Sequence, residues 1–186
     1  MRIQELITEI EESLESVFAD VDTWFDKPAA LQVYCPANGG WTVGEILEHI
    51  SLTSYYLLKL IDKGALKAAN RARQTDLIRE LENYQFEREK LDEIGIHRSF
   101  TWMRPEHMEP TGNVSLTKIR STIVAQKNRC LQHLKSLSNG EGVLYKTTMT
   151  VNNLGKIDVY AYIYFLTKHA QRHLVQMERI EQEFNQ

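Results

Sequence analysis

The chain has 186 residues, 42% of them hydrophobic and 25% charged, with a formal net charge of −3. That is enough chain and apolar content for a packed core, which excludes a disordered protein, and a mildly acidic balance argues against nonspecific binding to nucleic acid, which depends on many cationic contacts to phosphate. No apolar run approaches the roughly 20 residues that span a bilayer, and the opening stretch MRIQELITEIEES alternates acids with isolated apolar residues where a signal peptide needs a continuous apolar run, so neither a membrane nor a secreted role is expected and the cytoplasm is the expected location.

The first helical segment is expected from about Arg2 to Asp22. There Ile3, Leu6, Ile7, Ile10, Leu14, Val17, Phe18 and Val21 recur at three- and four-residue steps and make one apolar face. Lys27-Pro28 follows it. The second segment is expected from about Thr42 to Asp62. Thr42 and Glu45 read as a T-x-x-E capping box, and Gly64 reads as the stop. This helix is apolar around most of its circumference, so it is either central or packed against another subunit. Its polar arc is Glu48, Ser51, Tyr55, Lys59 and Asp62.

A long connection follows. The cluster Lys67, Arg71 and Arg73 reads as solvated, and Asp76 to Asp92 as a shorter, highly charged helix. The stretch HRSFTWMRPEHMEPTGN is irregular, with Pro105, Pro110 and Gly112 as breakers. The third helical segment is expected from Leu116 to Leu137, capped by Ser115 and stopped by Asn139-Gly140. LYKTTMTVN alternates and is β-branched, which suits an extended strip or a short hairpin. Asn152-Asn153 and Gly155 mark a turn, and the fourth helix is expected from about Ile157 to Phe184 with Asp158 in its first turn. The expected architecture is one all-α domain over residues 1–186, a four-helix bundle with a long crossover connection between helices 2 and 3.

Chemistry concentrates on histidine. His169 and His173 stand at i and i+4, one above the other on a helix. Tyr162, Leu166, Met177, Ile180 and Phe184 share their side of the helical wheel, while Lys168, Gln171, Arg172, Glu178, Arg179 and Gln182 fall away from it. Two inward imidazoles at this spacing are read either as core residues with hydrogen-bond partners or as half of a metal site. His49 sits outside the polar arc of the second helix, alongside Ile46, Thr53, Tyr56 and Leu60. It supplies a third inward imidazole from a facing helix, which is how bundles build metal sites. Three imidazoles with an open fourth position fit a catalytic zinc site better than a closed structural one, and they also suit nickel, copper or iron.

The other histidines are expected elsewhere. His133 lies at the edge of an apolar stripe, where a surface or hydrogen-bonded role is expected. His97 and His107 fall in the irregular connection and are expected to be solvated, unless a loop that lids the site carries one inward. Cys35 and Cys130 have no ligand spacing and read as free thiols in a reducing compartment.

With these elements in this order, the chain resembles the DinB/YfiT-like family of metal-binding four-helix bundles. The likeness rests on WTVGEILEHI (Trp41 to Ile50), RPEHMEPTG (Arg104 to Gly112) and HAQRHLVQMERI (His169 to Ile180), and it spans nearly the whole chain. It implies a three-histidine site for a divalent ion, zinc or nickel, carried onto His49, His169 and His173. Gln176 matches the H-x-x-Q that follows the second of the helix-four histidines. The resemblance also implies a homodimer and, from characterised members, metal-dependent chemistry with a small-molecule thiol such as bacillithiol or mycothiol.

The expected function is therefore that of a metal-dependent transferase or hydrolase acting on small molecules, including thiol S-transfer to an electrophile. The alternative is a non-enzymatic metal-binding stress or interaction protein whose site stabilises the bundle. No catalytic residue beyond the ligands is assigned. Glu45 is weighed as a partner or base for His49 against its capping role. Tyr56 is weighed as a pocket residue against a core tyrosine, and Trp41 and Trp102 as packing residues that form pocket walls.

Overall fold

Periodic apolar faces become helices that pack around one core in the computed structural model, which describes residues 2–97, 99–100 and 105–186. Helix α1 (Ile3–Thr23) buries Leu6, Ile7, Ile10, Leu14, Val17, Phe18 and Val21, the stripe its sequence spacing dictates. Its first turn is closed by the Glu5 carboxylate, which accepts from the Arg2 backbone N–H at 2.9 Å. A short α2 (Ala29–Gln32) follows Pro28, and the buried Gln32 amide donates back to the carbonyls of Trp24 (3.3 Å) and Phe25 (3.0 Å).

Helix α3 (Val43–Ala72) begins at the expected capping box. Thr42 Oγ1 accepts from Glu45 N–H at 3.2 Å, and Glu45 Oε2 accepts from Thr42 N–H at 2.8 Å. It does not stop at Gly64, as the sequence reading expected, but continues to Ala72. A Cβ at Gly64 would lie 3.1 Å from Val159 Cγ2, so the glycine serves the close approach of another element. The roughly 1 kcal/mol that glycine costs in a helix interior is offset by that packing. Ala65 and Ala68, also small, are buried on the same extension.

The connection after α3 holds two helices where the sequence reading expected one. Asp76 caps α4 (Leu77–Glu82) by accepting from Arg79 N–H at 3.3 Å, and α5 (Arg88–Gly95) follows a break. At the break the chain turns Tyr84 and Phe86 onto the core, and α5 then buries Leu91 and Ile94 against the last helix. Tertiary packing overrides a continuous helical propensity here.

Ser115 caps α6 (Leu116–Ser136), which buries Ile119, Ile123, Gln126, Cys130 and Leu134. The alternating segment forms an antiparallel hairpin of β1 (Thr147–Met149) and β2 (Gly155–Ile157), in register Thr147 to Ile157 and Met149 to Gly155. Its tip carries Asn152 and Asn153 at φ of 48° and 51°, a conformation asparagine tolerates better than most residues. Asp158 is the N-cap of α7 (Val159–Phe184) rather than a first-turn residue, accepting from Ala161 N–H at 3.0 Å. Every residue from Val159 to Thr167 is buried.

The four long helices form an all-α bundle in which α1 and α3 each pack against both α6 and α7, while α5 of the crossover lies against α7. Helix α3 is thus central within the chain. Arg120 of α6 ties down the end of α1 through Asp22 (2.8 and 2.6 Å) and the turn after it through Asp26 (2.8 and 3.1 Å). No described helix is long and apolar enough to cross a membrane.

Tyr160, fully buried, donates its hydroxyl to the Leu137 carbonyl and accepts from Gly142 N–H at 3.1 Å. It fastens the α6–hairpin connection to α7. Tyr160→Phe takes the acceptor from the Gly142 N–H and leaves the Leu137 carbonyl with the Gly140 N–H alone, at 3.2 Å, so it should lower stability by about 1–3 kcal/mol in urea titrations.

Candidate metal centre

Helices α3 and α7 pack side by side, and each turns histidine inward at the contact. His49, His169 and His173 are exposed by only 4%, 4% and 7%. Each offers a ligand atom, and these atoms all lie within 4.8 Å of one another. The ring centroids are 4.6–5.1 Å apart. The three residues singled out from the sequence are therefore brought together in one buried cluster.

Hydrogen bonds decide which nitrogen each ring presents. His49 Nδ1 lies 2.7 Å from the Met108 carbonyl oxygen. A carbonyl can only accept, so Nδ1 carries the proton and Nε2 keeps its lone pair. The Thr53 hydroxyl lies 3.5 Å from that Nε2. His173 Nδ1 lies 3.0 Å from Gln176 Oε1, which fixes the same tautomer. His173 Nε2 is then a lone pair, 3.2 Å from His169 Nε2. Gln176, matched by the resemblance alone in the sequence, thus holds the outer nitrogen of His173.

Burial keeps His169 and His173 neutral. Desolvation, followed by the charges of His173, His49 and Arg172, pushes the pKa of His169 well below the ordinary imidazole value. Desolvation is also the largest cause at His173, with His49, Arg172 and His97 acting in the same direction and Gln176 opposing, and its pKa falls to about 3. Near pH 7 these rings need lose no proton to act as ligands. With its lone pair on Nε2, His173 accepts from His169 Nε2–H, a proton that a shift to Nδ1 frees for ligation, and imidazole nitrogens converging in this way are a donor set that fits a borderline divalent cation.

A cavity of about 590 Å³ reaches His49 and His169. Helix α3 lines it with Thr53, Tyr56, Leu57 and Leu60, the crossover with Phe100, Pro105 and Met108, the hairpin with residues 148–152, and α7 with Phe165. Tyr56 therefore faces the cavity. Trp41 packs on His49 with ring centroids 4.7 Å apart. Trp102, weighed as a wall residue, and Arg104, in the stretch that carried the resemblance, lie outside the described residues. Glu45 is engaged in the capping box and does not partner His49.

Among the described residues, none of the remaining histidines joins the three in the cluster. His133 Nε2 bonds Asp62 Oδ1 at 2.6 Å on the flank of α3, a hydrogen-bonded role as expected. His107 is exposed and meets the Tyr56 ring edge-on at 4.3 Å. His97 is half-buried, close enough to His173 for its charge to oppose protonation there.

Two contributors escaped the sequence reading. The Met108 carbonyl is a backbone group, so no residue type announces it. Glu48, assigned to the polar arc of its helix, is 4% exposed. It accepts from Thr111 N–H (3.0 Å), Thr111 Oγ1–H (2.9 Å) and Gly112 N–H (2.8 Å). The crossover covers that side of α3, which helical periodicity within α3 cannot reveal.

The model of the DinB superfamily matches residues 6–177, nearly the whole chain, and the chain belongs to that superfamily. No curated protein and no solved structure matches it.

The depressed histidine pKa values set a pH dependence. In the unfolded chain these rings protonate below about 6.5, whereas folded His173 does so only near 3 and His169 also far below its ordinary value. The unfolded state therefore binds more protons between these limits, and stability falls as pH drops through them. Metal-free protein should lose stability between pH 7 and pH 5, by up to about 1.4 kcal/mol per pH unit per histidine. Urea midpoints should show that slope, and a His169→Leu, His173→Leu variant should show a shallower one.

Proposed function

We propose that this member of the DinB superfamily holds a divalent ion, zinc or nickel, on His49, His169 and His173. In this reading it acts as a metal-dependent transferase or hydrolase on small molecules, with a low-molecular-weight thiol such as bacillithiol or mycothiol as cosubstrate. The observation that carries the reading is the convergence of the three buried imidazoles at a cavity of about 590 Å³. That volume falls within the range that encloses small organic ligands.

The ion, when bound, supplies a Lewis acid that lowers the pKa of a water or thiol brought to it. The protein's own groups do the rest. Met108 and Gln176 orient the rings of His49 and His173 through their outer nitrogens. Leu57, Leu60, Met108, Met149 and Phe165 give the cavity apolar walls, which exclude water and suit the apolar part of an electrophile. The cavity that His49 and His169 line favours this reading over a site that only stabilises the bundle, because a site filled by side chains would leave no room for a reactant.

Two further expectations belong to the same proposal. Tyr55 and Leu66 of α3 are 50% and 66% exposed and share one helical face, which supports a homodimer through the outer side of α3. Cys35 and Cys130 are unpaired, in keeping with a reducing, cytoplasmic setting.

Elemental mass spectrometry of tag-free protein should find close to one zinc or nickel per chain. The metal should be absent from a His169→Ala, His173→Ala variant and retained in Tyr160→Phe. Wild-type protein that is empty and also refuses both ions on titration would overturn the proposal.

A further inference from the structure

The buried carboxylate of Glu48 sits immediately before His49, yet it touches no imidazole. Its three short bonds all go to Thr111 and Gly112 of the crossover. Both oxygens are occupied, Oε1 by the Thr111 N–H and hydroxyl and Oε2 by the Gly112 N–H. Charge-assisted bonds of this kind are the stronger class of hydrogen bond, and a carboxylate this deeply buried would be costly without them.

The same stretch of crossover makes a second attachment three residues earlier, where the Met108 carbonyl accepts from His49 Nδ1 at 2.7 Å. Residues 108–112 are thus tied across α3 at two points by two consecutive helix residues. The segment between is stiffened by Pro110, whose φ is fixed. The turn at its end needs Gly112, whose φ is +71° and whose N–H is one of the groups Glu48 holds. Met108 also approaches Thr53, with Oγ1 to Sδ at 4.0 Å, so the strap contributes its side chain to the cavity wall as well as its carbonyl to the ring.

We propose that Glu48 is a positioning residue for the histidine cluster: it anchors residues 111–112 so that the Met108 carbonyl stays on His49 Nδ1 and leaves Nε2 as the donor atom. An imidazole free of this bond samples both tautomers, and one of them places a proton on the nitrogen that has to carry a lone pair. Glu48 acts through the strap and touches no reactant, so it serves neither as base nor as ligand. The proposal rests on the metal-site reading only for its consequence; the strap and the tautomer are properties of the metal-free protein.

The test uses Glu48→Gln and the milder Thr111→Val in the full chain. Nitrogen NMR of metal-free protein labelled at histidine should show wild-type His49 as a single Nδ1–H tautomer. Glu48→Gln should move it toward a mixture of the two. Zinc affinity, read by competition with a chromogenic chelator, should fall ten- to hundredfold in Glu48→Gln and by a smaller factor in Thr111→Val, which keeps the two backbone donors. A loss of thermal stability with the His49 tautomer unchanged in both variants would overturn the proposal and leave Glu48 a structural residue. Should wild-type protein bind neither zinc nor nickel, the metal reading fails by itself, and the tautomer measurement still decides the role of Glu48.

Discussion

The structure depends on one constraint: three buried imidazoles must be kept inside a helical bundle with their nitrogens facing one another. An unsatisfied polar group in such a place costs about 1–3 kcal/mol, so each ring nitrogen needs a defined partner. The outer nitrogens of His49 and His173 have theirs in the Met108 carbonyl and the Gln176 side chain. The inner nitrogens face a shared space, with His169 and His173 Nε2 atoms 3.2 Å apart. The protein therefore contains a largely buried polar cluster, and much of the surrounding architecture serves to hold it in register.

That architecture can be followed from the chain upward. The Thr42–Glu45 box fixes where α3 begins, and so which turn of α3 carries His49. The Asp158 cap does the same for α7, and the buried run Val159–Thr167 anchors the helix before the histidines are reached. Gly64 lets Val159 come close to α3, which fixes the spacing of the two site helices at one end. The crossover then closes the flank of α3 that a four-helix bundle alone would leave open, and the hairpin and crossover complete the cavity wall with Met149, Pro105 and Met108.

The parts legible in the sequence are those that obey a periodicity. The four long helices follow from apolar spacing, and the inward direction of His49, His169 and His173 follows from their neighbours on each wheel. The parts that were not legible depend on contacts between distant segments. Gly64 looks like a stop because only the folded chain shows Val159 beside it. Asp76 to Asp92 looks like one helix because the pull of the core on Tyr84 and Phe86 is not local. Glu48 looks solvated because its partners lie more than sixty residues away. The Met108 carbonyl belongs to the backbone, which every residue shares.

The division of labour among the carboxylates and amides near the cluster bears on its chemistry. Glu45 and Glu48 flank the site in sequence, and both spend their charge on the backbone, one in the capping box and one on the strap. The groups that hold the outer nitrogens of His49 and His173 are a carbonyl and an amide, both neutral. A carboxylate in either place would lend negative charge to the ring and raise its basicity as a ligand. Neutral partners withhold that charge. A cation held there would keep more of its positive charge than one whose ligands were backed by carboxylates. Beside apolar walls that charge would act at a low effective dielectric constant, which would strengthen its effect on the acidity of a group brought to it. The acids thus build the frame, and neutral groups aim the rings of His49 and His173.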